Sequence, residues 1–263
     1  MNRSKLILVT AFALLCAPFS VLSADGSYAL INANLFDGVD DDITENATVF
    51  VKDGLIERIE SGDVNVPNNY TIVDVEGNFL MPGMIDAHTH IDTVERAKRA
   101  LDSGITTVRS ASVSAFQDVA LRELVRTGKL AGPEVVAAGV YVTPELGSGA
   151  LADPRLAELY DGVNSDEDLR RLVNINADRG VDVIKARGTQ RAGLPNTDPR
   201  QQSYTERQLR IIVEEAAKHD IPVLVHAHGD EGARAADGEQ LLGALAVRPR
   251  KARAVAVLAG QVL

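Results

Sequence analysis

In the first third of the chain the apolar positions come in short runs separated by tight turns. The runs cover residues 28–35, 47–51, 55–59, 70–75 and 79–81, and Asp37-Gly38, Lys52-Asp53-Gly54 and Glu76-Gly77-Asn78 punctuate them. An Asp-Gly pair between two apolar runs is a strong hairpin signal, because its turn needs positive φ angles that these residues tolerate. The pattern predicts a small β-sandwich domain over residues 25–82 with no catalytic candidate of its own.

After Pro82 the rhythm changes to strand, helix, strand, helix. Strands are predicted at 84–91, 105–110, 134–142, 181–186 and 221–227. Helices are predicted at 94–103, 115–127, 166–178 and 206–219, with another starting near Asp230. Gly104 and Gly128 close the first two helices, and Thr205-Glu-Arg-Gln208 opens the fourth with a capping-box pattern. This alternation over residues 83–236 requires a parallel sheet with crossover helices, an α/β fold. In such folds chemistry gathers at the carboxyl ends of the strands.

Composition narrows the picture. The chain has 263 residues and 45% apolar content, enough for one large domain or two modest ones. Its formal net charge of −10 argues against a nucleic-acid partner, which needs a basic face. One cysteine, Cys16, cannot support a disulfide framework.

Residues 1–24 have a signal peptide's order: Arg3 and Lys5, an apolar run over 6–17 broken only by Thr10, then Val21-Leu-Ser-Ala24. The run is too short to span a bilayer comfortably. Cleavage after Ser23 or Ala24 is expected, leaving a secreted or periplasmic chain with no membrane segment. Leu15 before Cys16 is bulkier than a lipid-attachment site usually has. The mature chain then has no cysteine, which suits an oxidising compartment.

The candidate chemistry lies at the predicted strand ends. Leu80-Met-Pro-Gly-Met-Ile-Asp-Ala-His-Thr-His-Ile-Asp92 places His88 and His90 two apart, hence on one side of a strand, as two ligands of one divalent metal must be. Lys185 ends the apolar strand of Val181-Asp-Val-Ile-Lys-Ala-Arg-Gly-Thr189. By position it could equally reach solvent or pair with a carboxylate. Val223-Leu-Val-His-Ala-His228 puts His226 and His228 on one side of the fifth strand. His228 reads either as a substrate contact or as loop packing. His219 reads as an imidazole set against a helix's carbonyl end, without function.

These motifs resemble the amidohydrolase superfamily. Residues 80–92 are similar to its first-strand metal motif, and residues 223–232 to the fifth-strand segment of imidazolonepropionase-like and Xaa-Pro or Xaa-Arg dipeptidase-like members. The resemblance runs from about Ala29 to Ala236. It implies a (β/α)8 TIM-type barrel, with about five βα units present, behind an N-terminal β-sandwich. It implies divalent metal, zinc by expectation, with His88, His90, Lys185 and His226 as ligands. Lys185 then also has the catalytic role, as a carbamate bridging two ions. The implied reaction is hydrolysis of a carbon–nitrogen bond in a dipeptide-like or cyclic amide, a small-molecule substrate, by metal-bound hydroxide.

Past Ala236 the resemblance stops. Residues 237–263 contain no histidine, and no acidic residue follows Glu239, so the sixth-strand histidine and eighth-strand aspartate of the family find no counterpart. This Ala/Arg/Val-rich tail reads as atypical. The second expectation is therefore a truncated, catalytically inactive fragment that holds at most one ion tightly and forms homo-oligomers or aggregates through its open strand edges. The N-terminus gives the first prediction: exported protein should begin at Ala24 or Asp25 by intact mass, and a retained Met1 or a lipid on Cys16 would refute this.

Overall fold

The computed structural model describes residues 26–236, except 40, 164 and 194, together with the pairs 257–258 and 261–262. The predicted signal peptide and most of the atypical tail lie outside the described residues. The first five strands are β1 (Ser27–Leu35), β2 (Thr44–Lys52), β3 (Leu55–Ser61), β4 (Thr71–Asp74) and β5 (Phe79–Leu80). Asp53 and Gly54 have φ angles of 51° and 73°, so the predicted hairpin closes with Lys52 opposite Leu55.

Where the sequence predicts a β-sandwich, the described residues form one mixed sheet in the order β3-β2-β1-β4, with β5 also on β1. β4 and β5 are too short to found a second layer, and both run parallel to β1. Leu30, Leu35, Val49, Val75 and Leu80 bury one apolar cluster, while Ile56, Ile59 and Ile72 stay exposed.

The parallel part follows the sequence pattern closely. Its strands are β6 (Met84–Thr89), β7 (Ile105–Ser110), β8 (Glu134–Val136), β9 (Ile184–Arg187) and β10 (Val223–His226). Between and after them come α1 (Val94–Asp102), α2 (Gln117–Arg126), α3 (Asp166–Asp178), α4 (Glu206–Ala217) and α5 (Asp230–Ala236). β6, β7 and β8 form one parallel ladder and β9 and β10 another; the parallel bridge Val142–Ala186 joins the two. The five strands thus stand in chain order, with β6 and β10 at the edges among the described residues. No closed barrel is formed within them. Met84 and Ile85 on β6 are 49% and 71% exposed.

Local chemistry sets the helix ends. The expected capping box at Thr205 and Gln208 is present, and Ser165 with Asp168 makes a second at the start of α3. α3 buries Leu169, Leu172 and Val173, and α4 buries Leu209, Ile212 and Ala216, the spacing of one helical face. These pack into the largest core cluster with Ile184, Ala186 and Val223. α2 begins at Gln117 instead of 115, since Phe116 offers no side-chain cap. α4 ends at Ala217 instead of 219, and Asp220 then turns with φ at 56°. The predicted loop after the third strand holds two short 3-10 helices, Gly147–Leu151 and Pro154–Leu159. Val257–Leu258 and Gln261–Val262, β11 and β12, pair antiparallel.

The third strand departs most from expectation. The pattern predicts an unbroken run over 134–142, but the ladder stops at Val136. Side chains then take over four successive backbone amides. Asp182 accepts from Ala137 N (2.9 Å), Asp118 from Ala138 N (2.9 Å) and Gly139 N (3.0 Å), and Asn176 from Val140 N (3.0 Å). Gly139 sits at φ 64°, and a Cβ there would lie 2.6 Å from Asn176 Oδ1. Asp118 is fully buried and accepts a third amide, Val119 N. Asp118→Ala orphans two buried amides on residues 138 and 139, so it should lower unfolding free energy by about 2–4 kcal/mol. Urea denaturation checks this, and a change below ~1 kcal/mol would show that the amides find other partners.

Candidate functional site

Strand alternation decides which side chains share a face. Val108, Val135, Val140, Val142, Ile184 and Ala186 belong to clusters packed with the helices. Residues one step away therefore face the other side: Arg109, Tyr141, Lys185 and Arg187. In register, Leu224 stands beside Lys185 and His226 beside Arg187.

His88 and His90 lie where β6 ends, with ring centroids 5.8 Å apart and planes at 81°. His88 N binds back to Asp86 Oδ1, which holds the strand end in a turn. His90 Nδ1 is 2.7 Å from the Ser112 carbonyl oxygen and 3.1 Å from the Tyr141 hydroxyl. A carbonyl can only accept, so Nδ1 carries a proton, and in the neutral ring Nε2 is the nitrogen with the lone pair. Tyr141 is half-buried, and desolvation raises its phenol above the usual range.

Lys185 is 2% exposed and makes no hydrogen bond or ion pair among the described residues. Of the two readings open from its position, reach to solvent and a carboxylate partner, the structure shows neither. Desolvation first, then the charges of Arg109 and Arg187, bring its amine down from 10.5 to about 8. The same amine acts on both histidine groups. Desolvation leads and Lys185 follows in holding His88 below the ordinary imidazole range. His226 falls to about 4 through desolvation, then through His228 and Lys185. Lys185 thus stands within electrostatic reach of both.

His226 and His228 pack edge to face, centroids 4.5 Å apart. The His226 Nε2 atom is buried with no hydrogen-bond partner among the described residues, an uncommon state for a polar atom. His228 is exposed, and its backbone N–H donates to Thr189 Oγ1. His219 follows the end of α4, where its backbone N–H donates to Ala216 O, and its Nε2 lies 2.6 Å from Asn174 Oδ1 of α3. Among the described residues no three His, Cys, Asp or Glu side chains come together in a metal-ligating group. The arrangement is two histidine pairs with a buried lysine between their fields.

Two residues at this site escape a reading of histidines and lysines. Tyr141 would be found only by noting a polar aromatic at the end of an apolar strand. Arg187 reads as the start of a polar loop, yet it is the last residue of β9, on the face of Lys185. Its guanidinium lies 5.2 Å from the Tyr141 ring centre.

Comparison with known proteins agrees with this geometry. The chain is 25% identical over 264 aligned residues to an ochratoxinase of Aspergillus niger, covering 83% of this chain and 54% of that protein. An imidazolonepropionase of Pseudoalteromonas atlantica is 40% identical over 60 residues, 23% of this chain and 14% of the relative. The solved structure of a Xaa-Pro dipeptidase with bound methionine superimposes at a TM-score of 0.69 with 23% identity, over 80% of this chain and 59% of that one. The chain spans about half the length of the ochratoxinase it matches. The family model described as "Amidohydrolase family" matches residues 79–240, more than half of the chain and the whole of the parallel part with both histidine pairs; the chain belongs to the amidohydrolase family.

Proposed function

We propose that this chain belongs to an exported, metal-dependent hydrolase that cleaves a carbon–nitrogen bond of a dipeptide-like or cyclic amide substrate. The observation that carries the reading is Lys185: a buried amine with no partner among the described residues, within electrostatic reach of both His88 and His226. Such burial costs stability, and it makes chemical sense where the amine is to be converted. Brought down to about 8, a good part of the amine is neutral at mildly alkaline pH. The neutral nitrogen can add carbon dioxide and release one proton, giving an anionic carbamate.

The donors fit a divalent ion, zinc by their chemistry. His90 offers Nε2 because Ser112 holds its Nδ1 proton, and His226 has its Nε2 buried and unpartnered. His88, His90, His226 and the carbamate of Lys185 would hold the ions. When bound, these ions polarise the scissile carbonyl and acidify water. The chain's own contribution is orientation: Tyr141 and Ser112 hold His90, and Asp86 fixes the turn that presents His88. The relatives' names, a Xaa-Pro dipeptidase among them, favour a dipeptide-like substrate.

Two outcomes test the proposal. Supplied with zinc and bicarbonate and then dialysed, the chain should retain at least about one zinc. His88→Ala, His90→Ala and Lys185→Met should each lower that retention roughly tenfold or more, as loss of a ligand does. His219→Ala should leave it unchanged. Elemental analysis finding no retained zinc in the parent chain, or equal retention in Lys185→Met, would remove the reading.

The second outcome concerns the metal-free chain. Between pH 8 and 10.5 the unfolded Lys185 amine is protonated while the native one is not, so native stability rises with pH across that window. Below pH 8 the full penalty applies. Lys185→Met should therefore stabilise the metal-free chain at pH 7 by on the order of 1–3 kcal/mol, and the gain should shrink by pH 10. Urea denaturation at both pH values checks the sign.

A further inference from the structure

Arg187 is the one inward cation of β9 that the proposed metal chemistry does not use. Strand alternation puts it on the face of Lys185, and the register puts it beside His226. Its guanidinium is half-buried and stacked toward Tyr141 at 5.2 Å, the phenol that also touches His90. No hydrogen bond or ion pair engages its side chain among the described residues. The charged and polar groups around it are Tyr141, Arg191, Tyr204 and Glu145, with Lys185 and His226 in its own field. Glu145 attracts it only weakly and is not within ion-pairing distance.

A guanidinium presents a planar fork of donors that matches a carboxylate in two parallel hydrogen bonds. Elsewhere in the molecule the arginines find such partners: Arg155 and Arg179 share the buried Asp153, and Arg207 takes Asp166. Arg187 stands out because it is half-buried, held in place by an aromatic face, and still without an anion. Arg109 and Arg187 both lie on this inward face, and among the described residues no side-chain carboxylate pairs with either. A ligand with a negative group is what Arg187 lacks.

We infer that Arg187 binds a carboxylate of the substrate and so selects an acyl amino acid, or a peptide with a free C-terminus, over a neutral amide. The inference rests on the hydrolase reading for the word substrate, but the binding itself stands on Arg187 alone. The Tyr141 ring braces the guanidinium, and the register with β10 puts a carboxylate held there one strand away from His226. Arg191 is exposed on the following loop, and its charge is screened there by solvent.

Titration calorimetry on the full chain tests this with N-acetyl-L-methionine and N-acetyl-L-methioninamide as probes. The acid should bind at least about tenfold more tightly than the amide, the usual scale for a charge-assisted pair. Arg187→Met should bring the two within about twofold, and Arg187→Lys, which keeps charge but not the fork, should retain only part of the preference. Arg191→Met removes the same net charge and should change acid binding less than about threefold. A parent chain that binds the probes equally or not at all, a preference that survives Arg187→Met, or an Arg191→Met effect as large as that of Arg187→Met overturns the inference. Circular dichroism melts show whether Arg187→Met has kept its fold; where it has not, the size-matched Arg187→Lys decides. Zinc retention without an Arg187-dependent preference would leave the hydrolase reading and remove the anchor. An Arg187-dependent preference in a chain that retains no zinc would do the reverse.

Discussion

Four backbone amides, on residues 137–140, set the geometry on which the site depends. They are bound by Asp182, Asp118 and Asn176, from the turn before β9 and from two helices. Each buried N–H left unpaired would cost about 1–3 kcal/mol, against a total domain stability of roughly 5–15 kcal/mol. The clamp is therefore too large a fraction of stability to be dispensed with. It also fixes the chain's phase. Once Gly139 has turned, Val140 packs toward the helices, Tyr141 faces the opposite side, and Val142 pairs with Ala186. Val142 binds β9 on both sides, accepting from Arg187 N and donating to Lys185 O. A slip of one residue would exchange the faces and put Lys185 into the helix-side core.

That core would tolerate the lysine less well than the present position does. Leu169, Leu172, Ile184 and Ile212 line the helix-side face with apolar surface. On the other face Lys185 is just as buried but lies among imidazoles, guanidinia and the Tyr141 hydroxyl. The local charges repel its proton and no carboxylate draws it back, so desolvation and repulsion act in the same direction. A purely structural lysine would have been given a partner, as Lys218 has Glu215. Local stability is conceded here, and functional sites are where such conflicts gather.

Much of this could be read from the chain, and the limits are physical. Short-range signals carried over well: Asp53-Gly54 made its hairpin, Thr205 and Gln208 their box, and the five βα repeats their parallel order. These depend on residues a few positions apart. The third strand failed because Glu134-Val-Val-Ala-Ala-Gly-Val-Tyr-Val142 is apolar almost throughout, and the side chains that interrupt it lie 20 to 45 positions away. Of the expected sandwich the described residues show one mixed sheet, because strand runs can be counted in sequence but layers cannot. At the site, His88, His90 and His226 were marked by type and spacing. Arg187 was hidden by its neighbours, since Gly188 and Thr189 make the segment look like a loop, and only the register with β10 shows that it ends a strand.

The charge distribution adds a last constraint. The whole chain has a formal charge of −10, which disfavours anionic ligands at long range. That repulsion is screened over ~8 Å at physiological salt, whereas Arg187, half-buried beside Tyr141, acts at contact distance. The two scales therefore separate: approach is weakly opposed, while the proposed anchor acts only on a carboxylate already placed against the guanidinium. Such a face discriminates by position more than by charge alone. An anion with no acyl group in line with His88, His90 and His226 gains only the guanidinium contact, while an acyl amino acid can meet both ends at once. The spacing between Arg187 and the histidine pairs, fixed by strand register and hence by the clamp on residues 137–140, is then what selects the ligand.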